Sequence, residues 1–501
     1  MNILRISRED FQRIKEIFQK EKNEQFIFLL AEKIRISAHK IIYLVKRVFF
    51  PEEQDMKAHH SVYVEPRKEF QLKIYQIAYA NNYSIFDIHN HWFQNKPCFS
   101  SIDLDSAIEN GNFISRYLPG IDFGLAVFNG DVNIYSGKIF SKVKKDFDPI
   151  DSIEIIGSPI ELLFNEKLNN QTQTDEKYSR HHLIPGFKQD ILPDLKVALV
   201  GAGGTGSLIV QALAGLGIGE GKGMLILIDP DCIEKSNLPR IPYAFPMDIA
   251  KPKVKAARQY IKSKNPKIKV IAIPKSVQEE KVQRILKQAH IILGAVDSEG
   301  ARKILTQISE QACIPYIDTG TEIIPENQGY HAGGQVRVML PGKGCLICIN
   351  GIDLSEAALD LLCKEKAKDY EKVGYIRGTS QTPTPSVIHL NGVISYLAIA
   401  QFIKLVFGEN LIGQKTVFYD QQKMSLLSAD FGKNPRCPLC GETFGKEEEN
   451  ERTGKKNKSF QGNYVLPDDA STGDGDILPN PVAKPHNEND ALAKSGDNDG
   501  K

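Results

Sequence analysis

The chain has 501 residues, 41% hydrophobic and 25% charged, the mix of a soluble globular protein of about three domains. Sixty-three Lys plus Arg against 62 Asp plus Glu leave a net charge of +1, which argues against a strongly basic nucleic-acid binder and against an acidic solvating protein. No apolar run is expected to reach the ~20 residues of a membrane span, and residues 1–21 carry charges where a signal peptide would be apolar, so a cytoplasmic protein is expected.

Ser7 stands before Phe11, Ile14, Ile17 and Phe18, a helical repeat behind an N-cap residue, which predicts an opening amphipathic helix. Residues 25–30 and 84–88 are apolar runs of strand length. The stretch 165–185 is polar and reads as a linker. From Lys196 to about Gly441, short strands (197–200, 224–228, 270–273, 291–293) alternate with helical patterns, which argues for a parallel α/β sheet. Residues 446–501 hold only 12 hydrophobic residues in 56, too few to offset the entropy of ordering, so a disordered tail is expected. The chain thus divides into 1–165, 175–445 and 446–501.

Within the first part, Glu24 heads one apolar strand and the other ends Asp87-Ile88-His89-Asn90-His91. Residues two apart on a strand share a face, so both imidazoles aim the same way. Ser100 and Asp103 follow a loop containing Pro97. Two imidazoles and a carboxylate hold zinc while leaving a fourth position for water, and a nearby Glu can take that water's proton.

This pattern, Glu24 followed by His89-x-His91-x8-Ser100-x2-Asp103, resembles the JAMM (JAB/MPN) metalloprotease family. The resemblance implies an α+β fold, a catalytic Zn²⁺ on His89, His91 and Asp103, Glu24 as general base and Ser100 as oxyanion stabiliser. It also implies cleavage of the bond after a ubiquitin-like C-terminus. Asn90 departs from the family's usual Ser or Thr, the spacer before Ser100 is one residue longer than usual, and a charged insertion at 51–60 follows Glu24. The alternative is an inactive JAB scaffold that only docks a partner.

In the second part, the strand ending at Val200 runs into Gly201-Ala202-Gly203-Gly204-Thr205-Gly206 and an apolar helix. Such a turn brings backbone close to a phosphate at a helix N-terminus. Asp229 ends the next strand, 23 residues after Gly206, where an acid bonds a ribose hydroxyl. So far a nicotinamide dehydrogenase fits equally. Asn237, Arg240 and Lys253 follow, then Asp297-Ser298; Arg240 and Lys253 can neutralise phosphate charge and Asp297 can hold Mg²⁺.

Residues 178 to about 445 resemble the ThiF/MoeB/HesA superfamily of ubiquitin-activating (E1-type) adenylation domains. The resemblance implies a Rossmann-like doubly wound domain that binds ATP through Gly204, Asp229, Asn237, Arg240, Lys253 and Asp297. It implies a homodimer in which Arg180 reaches the partner subunit's nucleotide. Cys345-x-x-Cys348 and Cys437-x-x-Cys440, 89 residues apart, supply four thiolates for a structural Zn²⁺, as the family does at this place; a redox role for one pair is the alternative.

Thioester-forming relatives carry a Cys in the loop that here spans 374–386, and this loop has none. Cys363, in a helix-like stretch upstream, is the one weak nucleophile candidate; Cys98, Cys232 and Cys313 are assigned no chemistry. The expected reaction is Mg-ATP-dependent adenylation of a small ubiquitin-like protein at its C-terminal carboxylate, with peptidase processing of the same partner. A conjugating enzyme would be a further partner. The alternative is activation of a sulfur carrier for thiamine, molybdopterin or cysteine synthesis.

Overall fold

The computed structural model describes residues 1–20, 23–60, 63–165, 176–362, 385–408 and 414–441. The expectations for 166–175, Cys363, most of the 374–386 loop and the tail fall outside these residues.

Strand β1 (Asn2–Ser7) ends at the predicted cap: Ser7 Oγ accepts the Asp10 N–H at 3.0 Å, starting helix α1 (Arg8–Lys20). Phe11, Ile14 and Phe18 bury that helix against Leu4, Ile6, Ile88 and Phe128. Strands β2 (Phe26–Ser37) and β3 (Lys40–Phe49) form a hairpin. The charged insertion folds into a small ribbon, β4 (Met56–His60) with β5 (Tyr63–Pro66). Helix α2 (Lys68–Asn81), β6 (Ser84–His91), α3 (Ser101–Tyr117), β7 (Phe123–Asn129), β8 (Tyr135–Ser141), β9 (Asp146–Pro149), β10 (Ser152–Ile156) and β11 (Glu161–Phe164) complete the first half. Nine strands make one sheet in the order β11-β10-β1-β3-β2-β6-β7-β8-β9.

The polar stretch read as linker turns helical before its predicted end, with α4 at Ser179–His182. Then follow β12 (Lys196–Val200), α5 (Gly204–Gly215), β13 (Met224–Ile228), α6 (Lys253–Lys264), β14 (Val270–Ile273), α7 (Glu280–Leu286), β15 (Ile291–Gly294), α8 (Glu299–Ala312), β16 (Tyr316–Glu326), β17 (Gly329–Met339), α9 (Leu354–Asp360), α10 (Ile388–Phe407), β18 (Gln414–Asp420) and β19 (Ser425–Phe431). The second sheet runs β14-β13-β12-β15-β16-β17-β18-β19. Its first five strands are parallel, helices alternating between them. The last pairings are antiparallel, so the expected parallel sheet is a mixed one. The reason is local: β16 and β17 join through a tight turn with Gly329 at φ +102°, which leaves no room for a crossover helix.

A second correction concerns α10. This 20-residue helix is long and apolar enough for a membrane span, contrary to the reading that no such run exists. Here Ile394, Ala398, Phe402 and Leu405 are buried in the core around α5, β12 and β17.

The two sheets share one compact unit, joined through buried charge. Glu154 of β10 takes Arg5 Nη2 at 2.7 Å on one oxygen, and Lys196 Nζ at 2.6 Å and His290 Nε2 at 2.9 Å on the other. Arg5 also donates to the carbonyls of Lys287 at 2.9 Å and Ala312 at 3.2 Å. His290 Nδ1 accepts the Lys196 N–H at 3.2 Å, so its Nε2 carries the proton given to Glu154. Isolated, any of these charges would be costly to bury; together they are satisfied.

Candidate functional site

In the second sheet β12 has β13 on one side and β15 on the other, and the chain order reverses between them. An open α/β sheet forms its ligand crevice at the carboxyl ends of the strands beside such a switch point. Three segments leave there: the glycine turn after β12, Asp229 after β13, and residues 295–298 after β15.

The turn is set by backbone clearance. Gly201 sits at φ +91°, and a Cβ there would lie 2.2 Å from the Ala295 carbonyl oxygen. A Cβ on Gly206 would lie 2.0 Å from the Gly201 carbonyl oxygen, so α5 starts hard against the turn. Gly204 is closed in by the Asn391 side chain of α10. Gly203, the N-cap of α5, differs: among the described residues nothing lies within 4 Å of the place a Cβ would take, and no side chain caps the helix. An uncapped N-terminus facing open space is what an incoming phosphate needs.

Asp229 is buried and pins this turn. Its oxygens accept the N–H groups of Ala202 at 2.6 Å and Asp231 at 2.8 Å, which the spacing alone did not reveal. Burial pushes its carboxyl up, and Lys253 and those two N–H groups pull the other way. Lys253, the first residue of α6, pairs with Asp231 at 2.8 Å, while its backbone N–H bonds the Asp231 carbonyl at 2.9 Å. Asn237 is buried, its Oδ1 accepting the Glu234 N–H at 3.1 Å, so its role in the structure is to shape the loop that carries Arg240. Tyr243 OH bonds the Ala202 carbonyl at 2.9 Å and ties that loop to the turn. Among the described residues, half-buried Arg240 and exposed Asp297 make no ion pair, so both remain available to a charged ligand. Ser298 caps α8 by accepting the Ala301 N–H, and its hydroxyl donates to Asp360 at 2.8 Å. Arg180 lies exposed on α4.

A second set escaped sequence reading. Asp318, fully buried near the start of β16, receives Arg302 at 3.3 Å, Arg337 at 3.1 Å and Tyr316 OH at 2.7 Å. Arg302 in turn donates to the Val296 carbonyl at 2.9 Å, holding the segment that presents Asp297. The only sequence signal was Arg302, one helical turn past Ser298.

Cys345, Cys348, Cys437 and Cys440 converge, all four Sγ atoms within 4.8 Å of one another and four of the six pairs at 3.3 to 3.9 Å. These are far beyond a disulfide bond, and they match the spacing of about 3.8 Å that tetrahedral Zn–S bonds of about 2.3 Å impose. The set fits a closed, structural zinc.

In the first sheet, β6 carries His89 and His91 on one face, and α3 presents Asp103 from its first turn. His89 Nε2 lies 3.7 Å from Asp103 Oδ1, and His91 Nε2 lies 3.8 Å from Asp103 Oδ2 and 3.2 Å from Glu24 Oε1. Asn90 brings Glu24 close: its Oδ1 accepts the Gln25 N–H at 2.7 Å and its amide donates to the Phe18 carbonyl at 3.0 Å. Ser100 is the N-cap of α3: its Oγ accepts the Asp103 N–H at 3.1 Å, and its own N–H donates to Asp103 Oδ2 at 2.7 Å. Burial opposes protonation of His89, yet Asp103 and Asp87 outweigh it and hold its pKa up at about 9. Burial likewise works against ionised Asp103, but His89 and the Ser100 contacts keep it at about 2. A pocket that stabilises buried positive charge this strongly fits a divalent cation. His89 Nε2, buried and without a hydrogen-bond partner among the described residues, points into it.

Residues 178–439 match the ThiF family. Over 276 residues the chain is 27% identical to a SAMP-activating enzyme E1 of Haloferax volcanii, covering 54% of this chain and 90% of that protein. Over 273 residues it is 27% identical to a molybdopterin-synthase adenylyltransferase of Salmonella typhimurium, covering 53% and 96%. Among solved structures, E. coli MccB with MccA-N7isoASN aligns over 54% of this chain and 76% of that one, at 23% identity and a TM-score of 0.43.

Proposed function

Because the chain belongs to the ThiF family, we propose that it adenylates the C-terminal carboxylate of a small ubiquitin-like or sulfur-carrier protein. The observation that carries this reading is the uncapped α5 N-terminus at Gly203, in a turn pinned by Asp229, with Lys253 close enough to act on that carboxylate. The α5 N–H groups would bind phosphate oxygens, Lys253 and Arg240 would balance the remaining charge, and Asp229 would hold the ribose. Asp297 would hold Mg²⁺, which adds positive charge beside the phosphates. The carboxylate oxygen forms a bond to the α-phosphorus, and the bond from that phosphorus to pyrophosphate breaks. Arg180 would complete the site of a second copy, making the working form a homodimer.

Of the two fates of the acyl-adenylate, transfer to sulfur is the first reading. A molybdopterin-synthase adenylyltransferase is among the relatives, and the 374–386 loop lacks a cysteine to take a thioester. Protein conjugation through a separate conjugating enzyme is the other. ATP–pyrophosphate exchange stimulated by a candidate carrier tests the activity. A thiocarboxylate on the carrier after sulfide is added distinguishes the fates. No exchange with any carrier overturns the reading.

The cluster of His89, His91, Asp103 and Glu24 favours a second activity, trimming or release of the same carrier. Zn²⁺ held by the first three residues would supply Lewis acidity and lower the pKa of water there. Glu24 would accept that water's proton, and Ser100 would donate to the developing oxyanion. Loss of peptide cleavage in Glu24→Gln with zinc retained is the expected result; cleavage unchanged in that variant removes the activity.

A further inference from the structure

We infer that Gln94 is a positioning residue that fixes the tautomer of His91, turning its Nε2 lone pair toward a divalent cation. The inference rests on the zinc-hydrolase reading above and deepens it.

The argument starts with one atom. Gln94 Oε1 accepts the backbone N–H of Cys98 at 3.0 Å. A backbone N–H can only donate, so the Gln94 atom in that place is the carbonyl oxygen, not the amide nitrogen. The same oxygen lies 3.2 Å from His91 Nδ1. An oxygen acceptor on that side requires Nδ1 to carry the hydrogen, and in a neutral ring Nε2 is then an unprotonated lone pair.

That lone pair faces Glu24 Oε1 at 3.2 Å and Asp103 Oδ2 at 3.8 Å. Two electron-rich atoms so close are relieved only by a cation between them, a second proton or a metal ion. His89 is built to the same plan. Asp87, two residues back on β6, stands behind Nδ1 at 3.8 Å, and Nε2 points toward Asp103. Each ligand therefore has an acceptor behind it and the shared carboxylate in front, the outer-shell arrangement that orients metal-binding imidazoles. Gln94 is held by the loop rather than by the strand, so it ties the 92–98 turn to the geometry of the site.

The test uses the full chain loaded with zinc, titrated against a chromophoric chelator, and then with cobalt for its visible spectrum. Wild type is expected to hold two metal ions. Gln94→Ala is expected to weaken one of them about 10- to 100-fold, to shift the cobalt spectrum of that site, and to leave the cysteine-bound ion unchanged. Gln94→Glu, which keeps an acceptor behind Nδ1, is expected to restore wild-type affinity. Asp87→Ala, which removes the acceptor behind His89 Nδ1, is expected to weaken the same ion. Unchanged affinity and spectrum in Gln94→Ala overturn the inference while leaving the hydrolase reading intact. A wild-type chain that binds only the cysteine-held ion overturns both.

Discussion

Glu154 and Lys196 meet at 2.6 Å with both side chains buried, although one belongs to the first sheet and the other opens the second. Glu154→Ala leaves Arg5 and Lys196 without their counter-charge inside the protein. The expected loss is about 3–5 kcal/mol, read as a lower denaturant midpoint in urea unfolding. Probes in the two halves should lose their signals together, since Ile156 and Ile160 pack in the core that also holds Leu199 and Val406.

The same cluster makes stability fall with acid. His290 is driven down to about 4 by burial, while its unfolded value stays near 6.5, so below that pH the unfolded chain takes up the proton first. Glu154, held well below its ordinary value by Lys196, Arg5 and His290 despite its burial, acts in the same direction at lower pH. The stabilisation is therefore complete above pH ~6.5 and lost progressively toward pH ~4. Denaturant midpoints measured at pH 7 and pH 5 should differ, and the difference should shrink in His290→Gln.

Two glycines of the turn, two positions apart, should part company. Gly201→Ala meets the Ala295 carbonyl and a positive φ, and is expected to destabilise the protein by several kcal/mol, about 1–3 from the backbone alone. Gly203→Ala enters open space and is expected to change the melting temperature little. Its methyl group stands where phosphate would approach, so it should raise the Kd for ATP in a direct titration. Equal nucleotide affinity in Gly203→Ala and wild type would place the phosphate elsewhere.

Lys253→Ala is expected to lower carrier-stimulated pyrophosphate exchange by about 100-fold or more. Asp231→Asn removes only the exposed partner of that lysine, so exchange should stay within a few-fold of wild type. Circular dichroism on both variants checks that the fold is retained.

Cys345→Ser should cost one zinc equivalent by atomic absorption and lower the thermal midpoint, because the cysteine cluster joins segments 92 residues apart in sequence. Any metal bound at His89 and His91 should be untouched.

Elements whose sequence carries their own reason for forming were legible. Ser7 caps α1 within a single turn, and the strands around the switch point are continuous apolar runs because both of their faces are covered. The His-x-His spacing on β6 needed only the parity of a strand. Features that depend on distant partners were not legible. Glu154 in the run Ser-Ile-Glu-Ile-Ile looks like a solvated face, and only Lys196 and Arg5, far away in sequence, make it an interior residue. Asp229 was placed by its spacing as a ribose ligand, but its bonds to Ala202 and Asp231 required the turn to be folded. Gln94 has no pattern at all: its role comes from a loop that brings Cys98 and His91 to the same oxygen.

Arg5 donates to the Lys287 carbonyl across 282 residues of chain. At roughly 5–20 residues per second, the ribosome delivers that acceptor about 15–60 s after the guanidinium itself. Throughout that interval the nascent first half must keep a face uncovered that the finished molecule seals, and a factor that shields it during translation would raise the yield of correctly assembled chains.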